Sequence, residues 1–170
     1  MSVRTHRGGW RRRGLQGLAL LSILLIVQVF QTRHVARGTA PPLTGTLLSG
    51  DVLQWPPQTG QPRLVHFWAS WCPVCEWEHG TVERIAGDYP VIGVAYDTAS
   101  PAELRAYLQT RGIRYPVLVD ADGSRARKYG VRAVPTSFVL DGDNRIRFVT
   151  VGYTTEWGLR ARLWWAGWTD

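Results

Sequence analysis

Two cysteines occur in this 170-residue chain, and they fall within four residues: Cys72-Pro73-Val74-Cys75. A bond across so short a loop removes little entropy from the unfolded chain, so as a staple it adds little stability. As a working pair it makes chemical sense. A thiolate at the amino end of a helix faces free backbone N–H groups and the positive end of the helix dipole. That setting brings a thiol pKa from about 8.5 down to about 3.5–7.5. Pro73 suits the first helical position, where the missing N–H is no loss, so a helix is predicted to begin just after Cys72. Cys72 then stands at the entry as nucleophile, and Cys75, inside the first turn, as the resolving thiol. Cys72 would attack a disulfide to give a mixed disulfide, and Cys75 would displace the product; run backwards, the pair oxidises a dithiol.

The elements that must position the pair can be read on either side of it. Leu64–Ala69 (LVHFWA) is a compact apolar run, the pattern of a buried strand, and it leads straight into Cys72. The helix after Pro73 is predicted to end near Gly87–Tyr89. Val91–Tyr96 reads as a second buried strand. Ser100-Pro101-Ala102-Glu103 is a capping box with proline in the first turn, opening a helix to about Arg111. Val117–Asp120 is a strand, Ser124–Tyr129 a short helix stopped by Gly130, and Val134–Leu140 a strand that begins with a proline. Asp141–Asn144 forms a turn to a partner strand, Arg145–Tyr153. Thr155–Trp168 closes the chain as a helix whose apolar face, Trp157, Ala161, Trp164 and Trp168, is expected to pack on the sheet. Leu47–Trp55 reads as a short strand or hairpin arm ended by Pro56-Pro57. The order implies an α/β domain with a mixed sheet and helices on both faces.

The charge pattern excludes one class of partner. The formal net charge is +7, from 20 basic and 13 acidic residues. Arg4, Arg7, Arg11, Arg12, Arg13, Arg33 and Arg37 lie in the first forty residues, which hold no acid. The rest of the chain is formally neutral, so no nucleic-acid face is expected. The basic start has another explanation. Gly14–Phe30 carries no charge and is rich in Leu, Ile and Val, after five arginines. The positive-inside rule then leaves the amino terminus in the cytoplasm and the body outside. The following QTRHVARGTAPP offers no clean small-residue cleavage site. The expected organisation is a basic cytoplasmic segment 1–13, a transmembrane signal-anchor 14–32, a linker 33–45 and a folded domain 46–170. An exported domain lies where disulfides persist, in the periplasm of a bacterial inner-membrane protein.

A metal-binding module is the rival reading. Cys72, Cys75 and His79 form a C-x2-C-x3-H pattern, but a structural zinc site needs four ligands and no second Cys/His cluster follows. Copper(I) needs fewer ligands. Covalent haem attachment wants His directly after the second cysteine, where Glu76 stands.

The segment Phe67-Trp68-Ala69-Ser70-Trp71-Cys72-Pro73-Val74-Cys75, followed some sixty residues later by Val134-Pro135-Thr136, resembles the thioredoxin superfamily. The amino-terminal apolar segment, the strand and helix over 91–112 and the VPTSFVLDGDN stretch look like the TlpA/ResA/DsbE branch of membrane-anchored thioredoxins. Within it, the C-P-V-C motif and the GYTTEWGLRARLWW ending are similar to the suppressor-for-copper-sensitivity protein D type. The resemblance implies a thioredoxin-like fold and protein disulfide oxidoreductase activity without a cofactor. It implies thiol proteins of the periplasm as substrates, in copper stress or cytochrome c maturation, and a membrane electron-transfer partner as donor. It implies a cis Pro135, with the Val134 backbone pairing to an extended substrate segment. Trp68, Trp71 and Val134 would form an apolar rim, and Pro73 and Val74 would tune the potential. Where many thioredoxins carry a buried Asp that relays protons to the second cysteine, this chain has His66, which could either relay protons, its ordinary pKa lying near neutrality, or serve only as a packing residue. Glu76, Glu78 and Asp97 are the acids that could take the missing role, although Glu76 and Glu78 also suit a first helical turn and Asp97 a strand-end turn.

Overall fold

The structure, a computed structural model, describes residues 16–19, 22, 34–53, 55–57, 60–96 and 99–168. The chain divides into two units, 1–33 and 34–170. In the first, residues 16–19 and 22 are helical. The rest of the expected segments 1–13 and 14–32 lies outside the described residues. Among the described residues, no helix is long and apolar enough to cross a membrane.

The second unit is built on six strands: β1 (Gly38–Thr39), β2 (Arg63–Trp68), β3 (Val91–Ala95), β4 (Val117–Val119), β5 (Thr136–Leu140) and β6 (Arg145–Val151). Their order across the sheet is β1-β6-β5-β2-β3-β4. Strands β2, β3 and β4 run parallel, while β5, β6 and β1 alternate in direction beyond β2. Central β2 has all six residues buried, because it is covered on both faces. This is why its sequence shows no polar alternation. Four helices join the strands: α1 (Pro73–Ala86), α2 (Pro101–Thr110), α3 (Ser124–Tyr129) and α4 (Glu156–Ala166). Side chains of α1, α2 and α4 build the core on one face of the sheet, with Leu64 and Trp68 from β2. Ala126 and Tyr129 of α3 join Val65 and Phe67 on the other.

Local chemistry fixes the helix starts. Ser100 caps α2 by accepting from the Glu103 N–H, and the Glu103 carboxylate reaches back to the Ser100 N–H at 2.8 Å. The short α3 has no side-chain cap at Gly123; instead, buried Asp120 accepts from the N–H groups of Arg125 and Ala126, at 3.0 and 2.8 Å. Thr155 caps α4 through the Gly158 N–H.

Three expectations change. Residues 33–45, read as a linker, instead contribute from Val35 onward to the fold. Val35, Ala40 and Leu43 are buried, β1 pairs with β6, and the Tyr129 hydroxyl donates to the Pro41 carbonyl at 2.8 Å. Second, the described residues of Leu47–Trp55 make no regular strand; the hairpin alternative holds in part, with an isolated antiparallel bridge from Thr46 to Val52, and Leu47 bridges to Leu118. Third, α4 packs the other way round. Leu159, Leu163 and Ala166 are fully buried, whereas Trp157, Trp164 and Trp168 are 83%, 56% and 74% exposed. Helical spacing set both faces; the aliphatic one joins Leu64 and Val82 in the core, while each indole carries an N–H that needs a partner when buried and keeps it in water at the surface.

The inversion is measurable by urea unfolding. Leu163→Ala should cost about 2–5 kcal/mol of stability, as expected for a buried leucine. Trp164→Ala should change it by less than about 1 kcal/mol. A larger cost for Trp164→Ala than for Leu163→Ala would mean that the indole face is the packed one.

Candidate active site

The strand β2 ends at Trp68, and a tight turn through Ala69–Trp71 brings the chain to Cys72. Cys72 is the N-cap of α1, with extended backbone (φ −96°, ψ 108°) and Pro73 in the first turn. Its Sγ takes the place of the usual capping oxygen and accepts from the Cys75 backbone N–H at 3.2 Å. The helix therefore directs an orphan donor at this sulfur, where negative charge on a thiolate would be stabilised. Cys72 and Cys75 are joined in a disulfide with Cα atoms 5.3 Å apart. Cys72 keeps 6% of its surface and Cys75 none, so only the first sulfur can be reached from outside. The Val134 carbonyl oxygen lies 3.6 Å from Cys72 Sγ, and the Val134–Pro135 peptide is cis, as the resemblance implied.

The residues expected around the pair fall in different places. Trp71 is 63% exposed and Val134 half-buried, so both can form a rim. Pro73 is exposed and Val74 half-buried beside them. Trp68 cannot be part of a rim because it is wholly buried. Its ring stacks on Tyr107 (centroids 5.6 Å apart) and meets His79 edge-on at 4.9 Å. Gly93 on β3 makes this packing feasible: a Cβ there would come within 3.0 Å of the Trp68 indole nitrogen and 2.6 Å of Tyr115. His79 is held between two hydroxyls, with Nε2 2.9 Å from Tyr107 and Nδ1 3.3 Å from Tyr115. With its nitrogens so engaged and the sulfurs bonded to each other, Cys72, Cys75 and His79 are not arranged as a ligand set. Among the described residues, no group of three or more His, Cys, Asp or Glu could hold a metal ion.

The proton-relay candidates separate by burial. His66 is fully buried, its Nδ1 2.9 Å from the Ser137 hydroxyl. Burial first, then the nearby His79, pulls its pKa down to about 3, so the ring stays neutral and is no base at pH 7. Burial, with the positive charge of Arg111, likewise takes His79 down to about 4. Glu76 is exposed and paired with Arg111 at 2.9 Å, on the outside of α1. Asp97 lies outside the described residues. Glu78 is the acid that points inward. It is fully buried, its Oε1 accepts from the Thr154 N–H at 2.9 Å, and its Oε2 meets no donor among the described residues. Burial raises its pKa to about 7, against the smaller opposing pull of the Thr154 N–H. Glu78 lies three positions after Cys75, on the same helix face. The sequence offered it as a helix-start acid equal to Glu76; only the helix phase, which buries Cys75, Glu78, His79 and Val82 together, tells them apart.

With this geometry in view, comparison with known proteins is decisive. Residues 37–149 match the AhpC/TSA family. The chain belongs to this family of thioredoxin-fold proteins. It is 30% identical over 130 residues to the thioredoxin-like protein YneN of Bacillus subtilis, covering 73% of this chain and 76% of that one. It is 37% identical over 110 residues to a thiol:disulfide interchange protein DsbE homolog of Paracoccus denitrificans, covering 63% of this chain and 61% of the relative. A solved structure of a thiol:disulfide interchange protein of the thioredoxin family from Chlorobium tepidum superposes with a TM-score of 0.67 at 26% identity, over 77% of this chain and 97% of that one. The chain is accordingly a thiol–disulfide oxidoreductase of the DsbE/ResA type, with Cys72 and Cys75 as its cysteine pair.

The three buried titrating groups oppose each other in a way that can be measured. The histidine pKa values are depressed, so their contribution is present above about 6.5 and is lost as pH falls toward 3–4. The Glu78 value is raised, so its contribution is present below 4.5 and is lost as pH rises through about 7. Between pH 4.5 and 6.5 the unfolded chain binds two more protons at the histidines and one fewer at the glutamate. From these groups, stability should climb by about 1.4 kcal/mol per pH unit in this window. Glu78→Gln removes the opposing term and should roughly double that slope in urea unfolding. An unchanged slope would mean that Glu78 has an ordinary carboxylate pKa.

Proposed function

We propose that this chain is a membrane-anchored reductase of disulfides in partner proteins, working on the periplasmic side of the bacterial inner membrane. The observation that carries the chemistry is the contrast between the two sulfurs: one caps a helix and keeps some exposure, the other is fully buried one helical turn before a buried acid. In the reduced form, the Cys72 thiolate is stabilised by the Cys75 N–H and the start of α1. It attacks one sulfur of a partner disulfide, and the other partner sulfur leaves as a thiolate and takes a proton from water. Glu78, half-ionised near neutrality, accepts the Cys75 proton. The Cys75 thiolate then attacks Cys72 Sγ, the bond to the partner breaks, and the second partner sulfur leaves as a thiolate that takes up, by way of water, the proton Glu78 had accepted. Two electrons and two protons pass to the partner, and the enzyme is left with the disulfide seen here. The pair itself carries the electrons, so no further cofactor enters.

The anchoring reading rests on the arginine-rich start and the uncharged run Gly14–Phe30. An exported domain needs electrons delivered across the bilayer, which is the role assigned to a membrane electron-transfer partner. Reduction is favoured over oxidation because the branch that the sequence resembles is largely reductive. Substrates in copper stress or cytochrome c maturation fit the same resemblance. The extended backbone of a partner would pair with the Val134 carbonyl and N–H beside Cys72, a form of strand addition.

Cys75→Ala should leave Cys72 able to attack but unable to release, so the full chain should accumulate mixed disulfides that disappear under reducing agent, while Cys72→Ala should trap nothing. If Cys75→Ala captures no partner in cells, the exchange mechanism is wrong. Direction is read separately by equilibrating the pair with glutathione. A potential well below that of strong oxidants, which lie near about −120 mV, is expected. A value at or above that level would make the chain an oxidase of dithiols instead.

A further inference from the structure

A cleft of about 270 Å³ adjoins the reactive sulfur. Trp71, Tyr96, Gly123, Arg127, Arg132 and Val134 line it, so it runs from the residue before Cys72 to the residue whose carbonyl faces Cys72 Sγ. Its floor is built by close approach. Gly123 has φ +67°, and a Cβ there would fall 2.7 Å from the Tyr96 ring, so glycine both permits the turn and lets the ring lie flat against it. Among the described residues that line it, the charged ones are all of one sign, Arg127 and Arg132, and none is a carboxylate. That stands out in a domain whose sequence from residue 41 onward is formally neutral.

The two arginines have donors to spare. Arg127 donates to the Asp122 carbonyl at 2.7 Å. The Asp122 carboxylate is near enough to feel the charge of Arg127, but its hydrogen bond is to the Ser124 N–H, at 3.1 Å. Arg132 is exposed and engages no acid among the described residues. A guanidinium offers five N–H donors in a planar fork that matches a carboxylate. Arg132 lies two residues before Val134, across the bend at Ala133 and Val134, and lines the same cleft. A peptide paired with the Val134 backbone through its cysteine would carry a residue two or three positions away along the cleft that both line.

We propose that Arg127 and Arg132 are specificity residues that select partner proteins with an Asp or Glu within two or three positions of the attacked cysteine. The inference rests on the disulfide reductase reading above and names the substrate class that this reductase prefers. The aromatic walls, Trp71 and Tyr96, hold the intervening side chain, and the guanidinium pair engages the carboxylate.

The test uses the full chain in detergent, reduced with dithiothreitol and freed of excess reagent. Its substrates are disulfide-linked dimers of short extended peptides, identical except for Glu, Gln or Lys two residues from the cysteine. Rates are read by acid quench and mass spectrometry. At low ionic strength, the Glu peptide should react about fivefold faster than the Lys peptide, and salt at about 0.5 M should compress the ratio toward one. Arg127→Glu with Arg132→Glu, or Arg132→Glu alone, should reverse the order, each variant being referred to its own Gln-peptide rate so that any general loss cancels. A wild-type Glu/Lys ratio within twofold of one, or a ratio that charge reversal leaves alone, overturns the proposal. If reduced wild-type protein leaves all three peptides oxidised, the reductase reading fails first and takes this inference with it.

Discussion

The hydrogen bond from the Cys75 N–H to Cys72 Sγ is the contact on which the site depends. A helix must satisfy its first N–H groups, and the side chain at the N-cap normally does so with an oxygen. Here a sulfur does it. The preference that would make serine or aspartate a good cap therefore makes cysteine a good nucleophile, since the cap bond strengthens when the sulfur is ionised. The rest of the fold holds that cap in place. Strand β2 delivers Cys72, Pro73 starts the helix without losing a bond, and α1 is fastened beneath by Val82 and Ile85, both wholly buried.

The inner side of α1 carries an unusual load for a helix core. Glu78 and His79 follow Cys75 into the interior, and His66 rises from the strand below. Three ionisable groups in one apolar region are tolerated because none need be charged at neutral pH: both imidazoles are held neutral, and the carboxyl titrates near 7. The tyrosine hydroxyls engage both ring nitrogens of His79 and the Ser137 hydroxyl engages Nδ1 of His66, while His66 Nε2 and Glu78 Oε2 meet no partner among the described residues. The interior is thus neutral around one acid whose proton can move, which suits a site that must deprotonate a sealed thiol.

Much of this was legible in the sequence, and the parts that were not share a cause. The reactive pair, the strand that presents it and the capping box of α2 follow from local chemistry, and each element appears within a few residues of its expected place. What local patterns could not supply was which of two equivalent options a neighbour would choose. Trp157, Trp164 and Trp168 have the same helical spacing as a buried face, yet Leu159, Leu163 and Ala166 take the interior, where they bring no polar group with them. The family resemblance implies a rim position for Trp68, yet alternation along β2 turns it inward to Tyr107. Glu76 and Glu78 are two acids of one helical turn, and only their phase against Cys75 placed one in the core and the other in a surface ion pair. The linker was misread for the opposite reason: paired prolines and glycine signal a loop, but Val35, Ala40 and Leu43 between them were enough apolar surface to dock it.

The remaining asymmetry lies around the cleft. A thioredoxin-type site must accept many partners, and backbone pairing serves that end because it ignores side chains. Discrimination then has to come from side chains just beyond the pairing edge, close enough to be felt and far enough not to obstruct the sulfur. Arg127 and Arg132 occupy that zone, one on α3 and one in the turn that leads to Pro135. Asp120, by capping α3 from within, fixes where Arg127 can reach, and the left-handed Gly123 lets Tyr96 close the floor. The fold thus separates reactivity from choice: the helix start makes the sulfur reactive, and the loops on the opposite bank decide what it meets.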